Sequence, residues 1–230
     1  YLYATSFIEG FKCWVSDDLV NWSQPTVVYT KNIRSFGYKD FWAPEVVFYQ
    51  NEFYMHYTAR WKKNDSLRIG VAKSKSPLGP FIDVFYQMPM FDDGYAVIDG
   101  HVFFDDDQKI YFYYDRDCSE YIFQGNHESH IYVTELDSSL TKRITPPTLV
   151  SKPEQAWELK TGSWRWNEGP FVIKKDQIYY LMYSSGFYAA KSYAIGYATS
   201  QHPKGPFVKA KENPILETIE GKISGPGHNS

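Results

Sequence analysis

The stretch IGVAKSKSPLGPF, Ile69–Phe81, recurs 126 residues later as IGYATSQHPKGPF, Ile195–Phe207. Weaker copies are HIYVTELDSSL from His130 and KCWVSDDLVNW from Lys12. Each copy is a short apolar run followed by turn-forming residues, which is typical of an antiparallel strand. A supersecondary unit that recurs along a chain indicates an array or a propeller.

Two further strand types precede each copy in a constant order. The nearer type is a Tyr-rich alternating run, which occurs as YLYATS at Tyr1, FYMHYT at Phe53, IYFYYD at Ile110 and IYYLMYSS at Ile178. The opening type comes before it, as WAPEVVFY at Trp42, VIDGHVFF at Val97 and NEGPFVIK at Asn167. The polar turns QNE, DDDQK and KKDQ join the opening strand to the Tyr-rich strand.

This order predicts an all-β fold, a five-bladed β-propeller that forms one domain over residues 1–230. Helical periodicity is short; the segment SSLTKRI is one turn at most. Three blades are complete, and they begin near Trp42, Val97 and Asn167. The first blade lacks its opening strand, and SGPGHNS begins a last blade without closing strands, so we expect a propeller truncated at both ends.

Composition narrows the classes of partner. The net charge of −3 and the pI of about 6.1 do not favour nucleic acid, and no apolar run is long enough to span a membrane. Secreted or periplasmic location requires a signal ahead of Tyr1, and the cytoplasm is the alternative. Cys13 and Cys118 are either one disulfide or two buried thiols. The aromatic share of 19% fits both a β-core and stacking on sugars.

Each opening strand carries one acid or histidine. These residues are Glu45, Asp99, Glu168 and His228, spaced by 54, 69 and 60 residues. Opening strands line the channel of a propeller, so these side chains are expected to converge on its axis. A charge buried there is costly unless it is paired or has a function. Two inward carboxylates are the equipment of glycoside hydrolysis, in which one protonates the leaving oxygen and the other activates water.

Four segments together resemble glycoside hydrolase family 43: WNEGPFV with Glu168, VIDGHVF with Asp99, WAPEVVFY, and the terminal GPGHNS. The resemblance implies a five-bladed propeller and an inverting glycosidase that acts on arabinans, arabinoxylans and xylo-oligosaccharides. By position, Glu168 is the general acid and Asp99 tunes and orients it, while Trp42 and Glu45 bind the sugar. His228 lies where family members often hold a calcium or sodium ion surrounded largely by water; no other cofactor is implied.

The general base of this family is an Asp on the opening strand of the first blade. That strand is expected just before Tyr1, and residues 1–10 contain no Asp. Asp40 is the nearest candidate, but it belongs to the entry of the second blade. Smaller departures are Glu45, where many members have Asp, and Gly100, where Pro is common.

Aromatic residues suggest a sugar-binding wall near the acid. Trp164 and Trp166 flank Arg165 just before Glu168, and the loop from Ser184 is expected to present Phe187 and Tyr188 at the rim. The alternative for the tryptophans is that one packs between blades. The run Asp105–Asp107 lacks the spacing of a calcium loop and is interpreted as a solvated turn.

The sequence therefore predicts an O-glycosyl hydrolase that releases L-arabinofuranose or D-xylose from plant polysaccharide or oligosaccharide. An endo-acting arabinanase or xylanase remains open. A retaining or fructan-cleaving propeller enzyme differs in the distance between its carboxylates, which a sequence does not give. A non-catalytic carbohydrate-binding propeller is the alternative from another class.

Overall fold

A computed structural model describes residues 1–230 as strands joined by turns and loops, with no helix long and apolar enough to cross a membrane. The chain forms two compact units, Tyr1–Gly100 and His101–Ser230. The strands, in chain order, are β1 Leu2–Phe7, β2 Gly10–Trp14, β3 Thr26–Thr30, β4 Gly37–Tyr49, β5 Glu52–Trp61, β6 Leu67–Ser74, β7 Ile82–Asp83, β8 Val97–Phe104, β9 Ile110–Arg116, β10 Ile122–Phe123, β11 Asn126–Glu128, β12 His130–Leu136, β13 Thr148–Ser151, β14 Trp164–Arg165, β15 Glu168–Lys175, β16 Ile178–Ser185, β17 Ala194–Ser200 and β18 Val208–Lys209.

The prediction of an all-β fold is confirmed, and so is the order of the strand types. Three sheets have four strands, in the orders β4-β5-β6-β7, β8-β9-β12-β13 and β15-β16-β17-β18. In each of them the opening strand, the Tyr-rich strand and the recurring strand follow one another. A further sheet, β1-β2-β3, has three strands and starts with the Tyr-rich type. A small sheet, β10-β11-β14, lies outside this pattern.

The polar turns close hairpins, as the sequence indicates. Gln50 and Asn51 join β4 to β5 with φ values of 48° and 62°, and Asp176 and Gln177 join β15 to β16 with 50° and 62°. Two consecutive residues with positive φ are the mark of a type I′ turn, whose twist matches that of the flanking strands. The turns therefore fix the register of the opening strands that carry the candidate site residues.

Aromatic rings form much of the core within each unit. In the first unit Tyr29 and Tyr57 pack with Phe11 and Phe41 at centroid distances of 5.0 to 6.1 Å. In the second unit the core includes Tyr111, Tyr113, Val133, Val172, Tyr179 and Leu181. The high aromatic share is therefore explained first by packing. Cys13 and Cys118 are both buried free thiols.

One hydrogen bond recurs four times and links successive repeats. In each case a residue with positive φ on an opening segment donates its main-chain N–H to a polar side chain on the Tyr-rich strand of the preceding repeat. The four pairs are Ala43 to Thr5 Oγ1 at 3.0 Å, Asp99 to Thr58 Oγ1 at 3.0 Å, Gly169 to Asp115 Oδ2 at 3.0 Å, and His228 to Ser184 Oγ at 2.6 Å. The repeat is thus one of backbone geometry as well as of sequence.

Candidate active site

Glu168 is the first residue of β15 and lies at a β-bulge. Glu168 is opposite Ser184 and Phe171 is opposite Met182, so β15 has one more residue than β16 between these pairs. Gly169 supplies the extra residue with a φ of +59°, a conformation that glycine adopts without strain. A bulge re-aims the adjacent side chain, and here it sets the carboxyl group of Glu168, which is 9% exposed.

Tyr193 holds the Glu168 carboxyl group. The Tyr193 hydroxyl, just before β17, donates a hydrogen bond of 2.9 Å to Glu168 Oε1. Tyr193 is buried, so its hydroxyl has a fixed direction. A buried carboxyl group with an oriented donor on one oxygen keeps the other oxygen in a defined place. Such a group suits proton transfer to a bound substrate.

The segment GPGHNS lies beside this carboxyl group. A side chain at Gly227 would collide with the Tyr193 ring, because a Cβ there would be 1.9 Å from a ring atom. The His228 N–H reaches Ser184, the residue opposite Glu168, and the His228 ring lies against Gly169. The structure therefore brings His228 next to Glu168, as the sequence predicts for a following opening segment.

The candidate aromatic wall is continuous. Trp164 and Trp166 have ring centroids 6.5 Å apart, Trp166 and Phe187 are 6.0 Å apart, and Phe187 and Tyr188 are 4.9 Å apart. Ser185 Oγ donates to the Trp166 carbonyl and ties the two loops together. Trp164, Phe187 and Tyr188 are exposed and Trp166 is half-buried. The four residues that the sequence singles out thus form one surface that leads to the strand of Glu168.

A buried polar cluster supports the backbone before the acid. Lys209 Nζ lies 2.7 and 2.8 Å from the two carboxylate oxygens of Glu158 and donates to Asn167 Oδ1 at 2.8 Å. The Asn167 amide also donates to Glu158 Oε1 and to the Trp166 carbonyl. Burial lowers the pKa of Lys209 from its ordinary value, against the opposing effect of Glu158. Asn167 directly precedes Glu168, so this cluster fixes the start of the acid strand.

In the first unit, Asp99 and Trp42 both neighbour Thr58 on β5. Asp99 is buried on β8 with a φ of +57° and donates its N–H to Thr58 Oγ1. Trp42 on β4 is opposite Thr58, at another bulge, and is exposed. Glu45 is half-buried and lies opposite His56, two residues along β5. The backbones of Asp99 and Trp42 are thus both positioned against Thr58 on β5.

Asp40, the nearest candidate for the base, is engaged elsewhere. Its Oδ2 lies 2.6 Å from Nε of Arg60, and the two side chains form an ion pair. This carboxylate oxygen is thus engaged by the guanidinium of Arg60. This geometry agrees with the interpretation that Asp40 is not the general base.

The four opening-strand residues do not share one register position, contrary to their simple alignment. The recurring N–H hydrogen bond makes Asp99 and His228 equivalent to Ala43 and Gly169. Glu168 lies one residue before this position, and Glu45 lies two residues after Ala43. The reason is the bulge, which a sequence alignment by residue type does not reveal.

The structure offers no ready calcium cage. No three or more His, Cys, Asp or Glu side chains are grouped so as to hold a metal ion, whereas calcium takes six to eight oxygen ligands. Asp105 is not a solvated turn residue but is buried, with Lys174 Nζ at 2.8 Å and the Tyr179 hydroxyl at 2.5 Å. The ion predicted at His228 stays a prediction, and no step below depends on it.

Sequence reasoning missed Tyr193, Asp115 and the Lys209–Glu158 pair. Tyr193 is one of 20 tyrosines and carries no local signal. Asp115 directly follows the run IYFYY. A polar residue at the end of a Tyr-rich strand is the sequence signal that could have identified it. The recurrence of a polar residue there, Thr58 and Ser184 in the other repeats, points to a shared structural role.

Comparison with known proteins places the chain among carbohydrate-active enzymes. The model of Glycosyl hydrolases family 43 matches residues 1–230. The crystal structure of a thermostable family-43 glycoside hydrolase is 48% identical, with a TM-score of 0.94 over 99% of this chain and 73% of that one. An endo-1,4-β-xylanase from Bacteroides thetaiotaomicron is 35% identical, with a TM-score of 0.84 over 98% and 73%. A β-D-galactofuranosidase of Aspergillus niger is 29% identical over 96% of this chain, which spans 61% of the length of that protein.

Proposed function

Because the chain belongs to glycosyl hydrolase family 43, we propose that the protein is an inverting O-glycosyl hydrolase of plant polysaccharides or oligosaccharides. The observation that carries the proposal is the state of Glu168. This carboxyl group is buried at a bulge and held by the Tyr193 hydroxyl at 2.9 Å, and its strand directly follows the segment that carries Trp164 and Trp166. A buried carboxyl group whose direction is fixed in this way suits proton exchange with a bound substrate.

In the proposed mechanism Glu168 donates its proton to the glycosidic oxygen as the bond to the anomeric carbon breaks. A water molecule, deprotonated by a general base, attacks the anomeric carbon from the opposite face, so the configuration inverts. The base is predicted on an opening strand ahead of β1. Asp99 acts on the general acid by its charge and orients it. Glu45 and Trp42 contribute to sugar binding.

The proposed architecture is a five-bladed propeller in one domain. Its support is the three four-stranded sheets, the three-stranded first sheet, and the hydrogen bond that recurs between successive repeats. In a propeller every opening strand faces the axis. Within the second unit, Glu168 and His228 lie on adjacent opening segments that both reach Ser184. A calcium or sodium ion beside His228 would require water as its main ligand.

The proposed substrates are glycosides of L-arabinofuranose or D-xylose. The relative from Bacteroides thetaiotaomicron is named for xylan and that of Aspergillus niger for D-galactofuranose. L-Arabinofuranose has the ring configuration of D-galactofuranose and lacks only the terminal C6 group of its side chain, so a furanose site can suit either sugar. Neutral sugars also agree with the modest net charge of −3. The partner is thus a carbohydrate, and export depends on sequence ahead of Tyr1.

The test is hydrolysis of aryl α-L-arabinofuranoside and aryl β-D-xyloside by the full-length protein and its Glu168→Gln variant. Activity that is lost in the variant supports the enzyme, the acid and one pentose together. The competing function is a sugar-binding propeller without catalysis. It is favoured if neither protein hydrolyses either glycoside while both bind oligosaccharide.

A further inference from the structure

The small sheet β10-β11-β14 presents a tryptophan in an unusual way. Strand β11 pairs with β14 in parallel, and His127 lies directly opposite Trp164. The imidazole and indole rings are coplanar to within 2°, with centroids 4.0 Å apart. Trp164 is nevertheless 43% exposed. One face of a large aromatic ring is therefore supported by His127 while much of the ring remains open to solvent.

The support under Trp164 is rigid. His127 Nδ1 donates to the Cys118 carbonyl at 2.9 Å, because a carbonyl oxygen only accepts, and this bond fixes the orientation of the imidazole. The His127 N–H also donates to the Ser163 carbonyl at 2.8 Å. The Thr161 hydroxyl binds the Trp164 carbonyl. The ring thus has few conformations to lose when it contacts a ligand.

A buried ionic cluster holds the residue next to Trp164. Arg165 Nη1 lies 3.1 Å from Glu128 Oε1, and Arg165 Nε donates to the Gly162 carbonyl at 2.7 Å. The other oxygen of Glu128 lies 2.8 Å from His130 Nε2. Glu128 and His130 are both buried. A buried charge is costly unless its partners hold it. The contacts of Arg165 with Glu128 and with the Gly162 carbonyl therefore immobilise β14, whose main exposed feature is the indole of Trp164.

We propose that Trp164, supported by His127, is a binding platform for a sugar unit beyond the one that is released. This inference rests on the proposed function, and it names the substrate as an oligosaccharide or polysaccharide chain. The platform is continuous with the active strand, since Trp164 is followed by Trp166 at 6.5 Å and then by Phe187 at 6.0 Å. Sugar rings have an apolar C–H face that packs on an aromatic ring, while their hydroxyl groups remain in water.

The arrangement of the rings favours a chain over a single sugar. One monosaccharide at Glu168 would contact the nearest rings, and Trp164 and His127 would have no contact with it. A linear chain bound along the aromatic surface contacts Trp166 first and Trp164 further on. The His127–Trp164 stack therefore adds affinity only for substrates with several units, which predicts a preference for long substrates over aryl glycosides.

The test compares Trp164→Ala with Trp22→Ala, a matched control at another exposed tryptophan. Binding of α-(1→5)-L-arabinohexaose and β-(1→4)-D-xylohexaose is measured by calorimetry in full-length protein that also carries Glu168→Gln, so that no substrate is consumed. We expect Kd for the bound hexaose to rise about tenfold with Trp164→Ala, which corresponds to ~1.4 kcal/mol, and to be unchanged with Trp22→Ala. Trp164→Phe keeps an aromatic ring and should retain most of the affinity. Thermal melts of both variants show whether the loss of affinity in Trp164→Ala comes from unfolding.

In the protein with Glu168 intact, Trp164→Ala should raise KM for the hexaose by a much larger factor than KM for the aryl pentoside. Equal effects on both substrates, or hexaose binding that is indifferent to Trp164→Ala, would overturn the platform. The proposal would also be overturned if neither of the two hexaoses binds. If the hexaose binds through Trp164 but no glycoside is cleaved, the platform stands and the proposed catalytic function falls.

Discussion

The hydroxyl group of Tyr193 donates a hydrogen bond of 2.9 Å to Oε1 of Glu168, and the two residues are 25 positions apart in the sequence. The same tyrosine ring is packed against Gly227, where a side chain would collide with it. The terminal GPGH segment therefore holds Tyr193, and Tyr193 holds the proposed acid. This relationship explains why glycine is required at position 227 although it is far from β15 in the sequence.

Replacement of Tyr193 by Phe should lower kcat with little change in KM. The ring remains packed against Gly227, but Glu168 loses the donor that orients it. A hydrogen bond to a carboxylate contributes ~1.5–3 kcal/mol, so kcat should fall about tenfold or more. Steady-state kinetics with an aryl pentoside and a thermal melt measure the two effects. A large loss of thermal stability with unchanged kcat would show that Tyr193 acts in packing alone.

Gly169→Ala should damage both the fold and the site. The residue has a φ of +59°, and a Cβ there would lie 3.1 Å from His228 Nδ1. Gly221 is the matched control, because its φ is +73° and nothing lies within 4 Å of the added Cβ. Gly221→Ala should cost only the ~1–2 kcal/mol of the left-handed conformation, measured by chemical denaturation, and leave kcat unchanged. Equal losses in the two variants would contradict a specific role for the Gly169–His228 contact.

Loss of Lys209 should be more harmful than loss of the whole ion pair. Lys209→Met leaves the Glu158 carboxylate buried without its cation, which costs ~3–5 kcal/mol. In the double variant Lys209→Met, Glu158→Gln, much of this free energy of unfolding should return. Denaturation curves of the two single variants and the double variant measure the coupling. Additive effects in this cycle would mean that the pair does not act as a unit in holding Asn167.

Asp105 should make stability depend on pH on the acid side. Burial opposes its ionisation, but the hydrogen bonds from Lys174, Tyr179 and the Asp106 N–H outweigh burial and lower the pKa of Asp105 below its ordinary value of 3.8. Since the folded pKa is below the unfolded one, the ionised group stabilises the fold above pH 3.8, and this stabilisation is lost as the pH falls below that value.

The Asp105→Asn variant should therefore melt at a lower temperature than the wild type at pH 7. The difference between the two proteins should narrow as the pH falls through 3.8 and below. Melts in buffers between pH 7 and pH 3 measure it, and a gap that stays constant over this range would show that the charge of Asp105 does not contribute.

The fold could be predicted from the sequence because its signals are local. Alternating Tyr-rich runs, polar hairpin turns and the recurring IGxAxS strand each lie within about ten residues, and the structure has these strands in that order. Glu168 could be singled out for the same reason, since the segment WNEGPFV is continuous. Trp164, Trp166, Phe187 and Tyr188 could be singled out as candidate sugar-binding residues, but the sequence left open whether one of the tryptophans packs between blades.

The register of the site could not be predicted in the same way. Ala43, Asp99, Gly169 and His228 are equivalent in backbone conformation and in their N–H hydrogen bond, yet their side chains have nothing in common. The supports of the acid are equally hidden. Lys209 reaches Asn167 across 42 residues, and nothing in either local sequence indicates the contact. Such contacts arise from the packing of strands that are distant in the chain.

The most direct test of the central claim, that Glu168 is the general acid, compares leaving groups in Glu168→Gln, with the exposed Glu217→Gln as control. Dinitrophenolate leaves without protonation, whereas the oxygen of a sugar leaving group needs a proton. The account predicts that Glu168→Gln loses about 10²–10⁴ in kcat on pentose oligosaccharides, keeps most of its activity on the dinitrophenyl pentoside, and that Glu217→Gln resembles the wild type on both. An equal loss of activity on both substrates in Glu168→Gln would contradict the assignment of Glu168 as the acid.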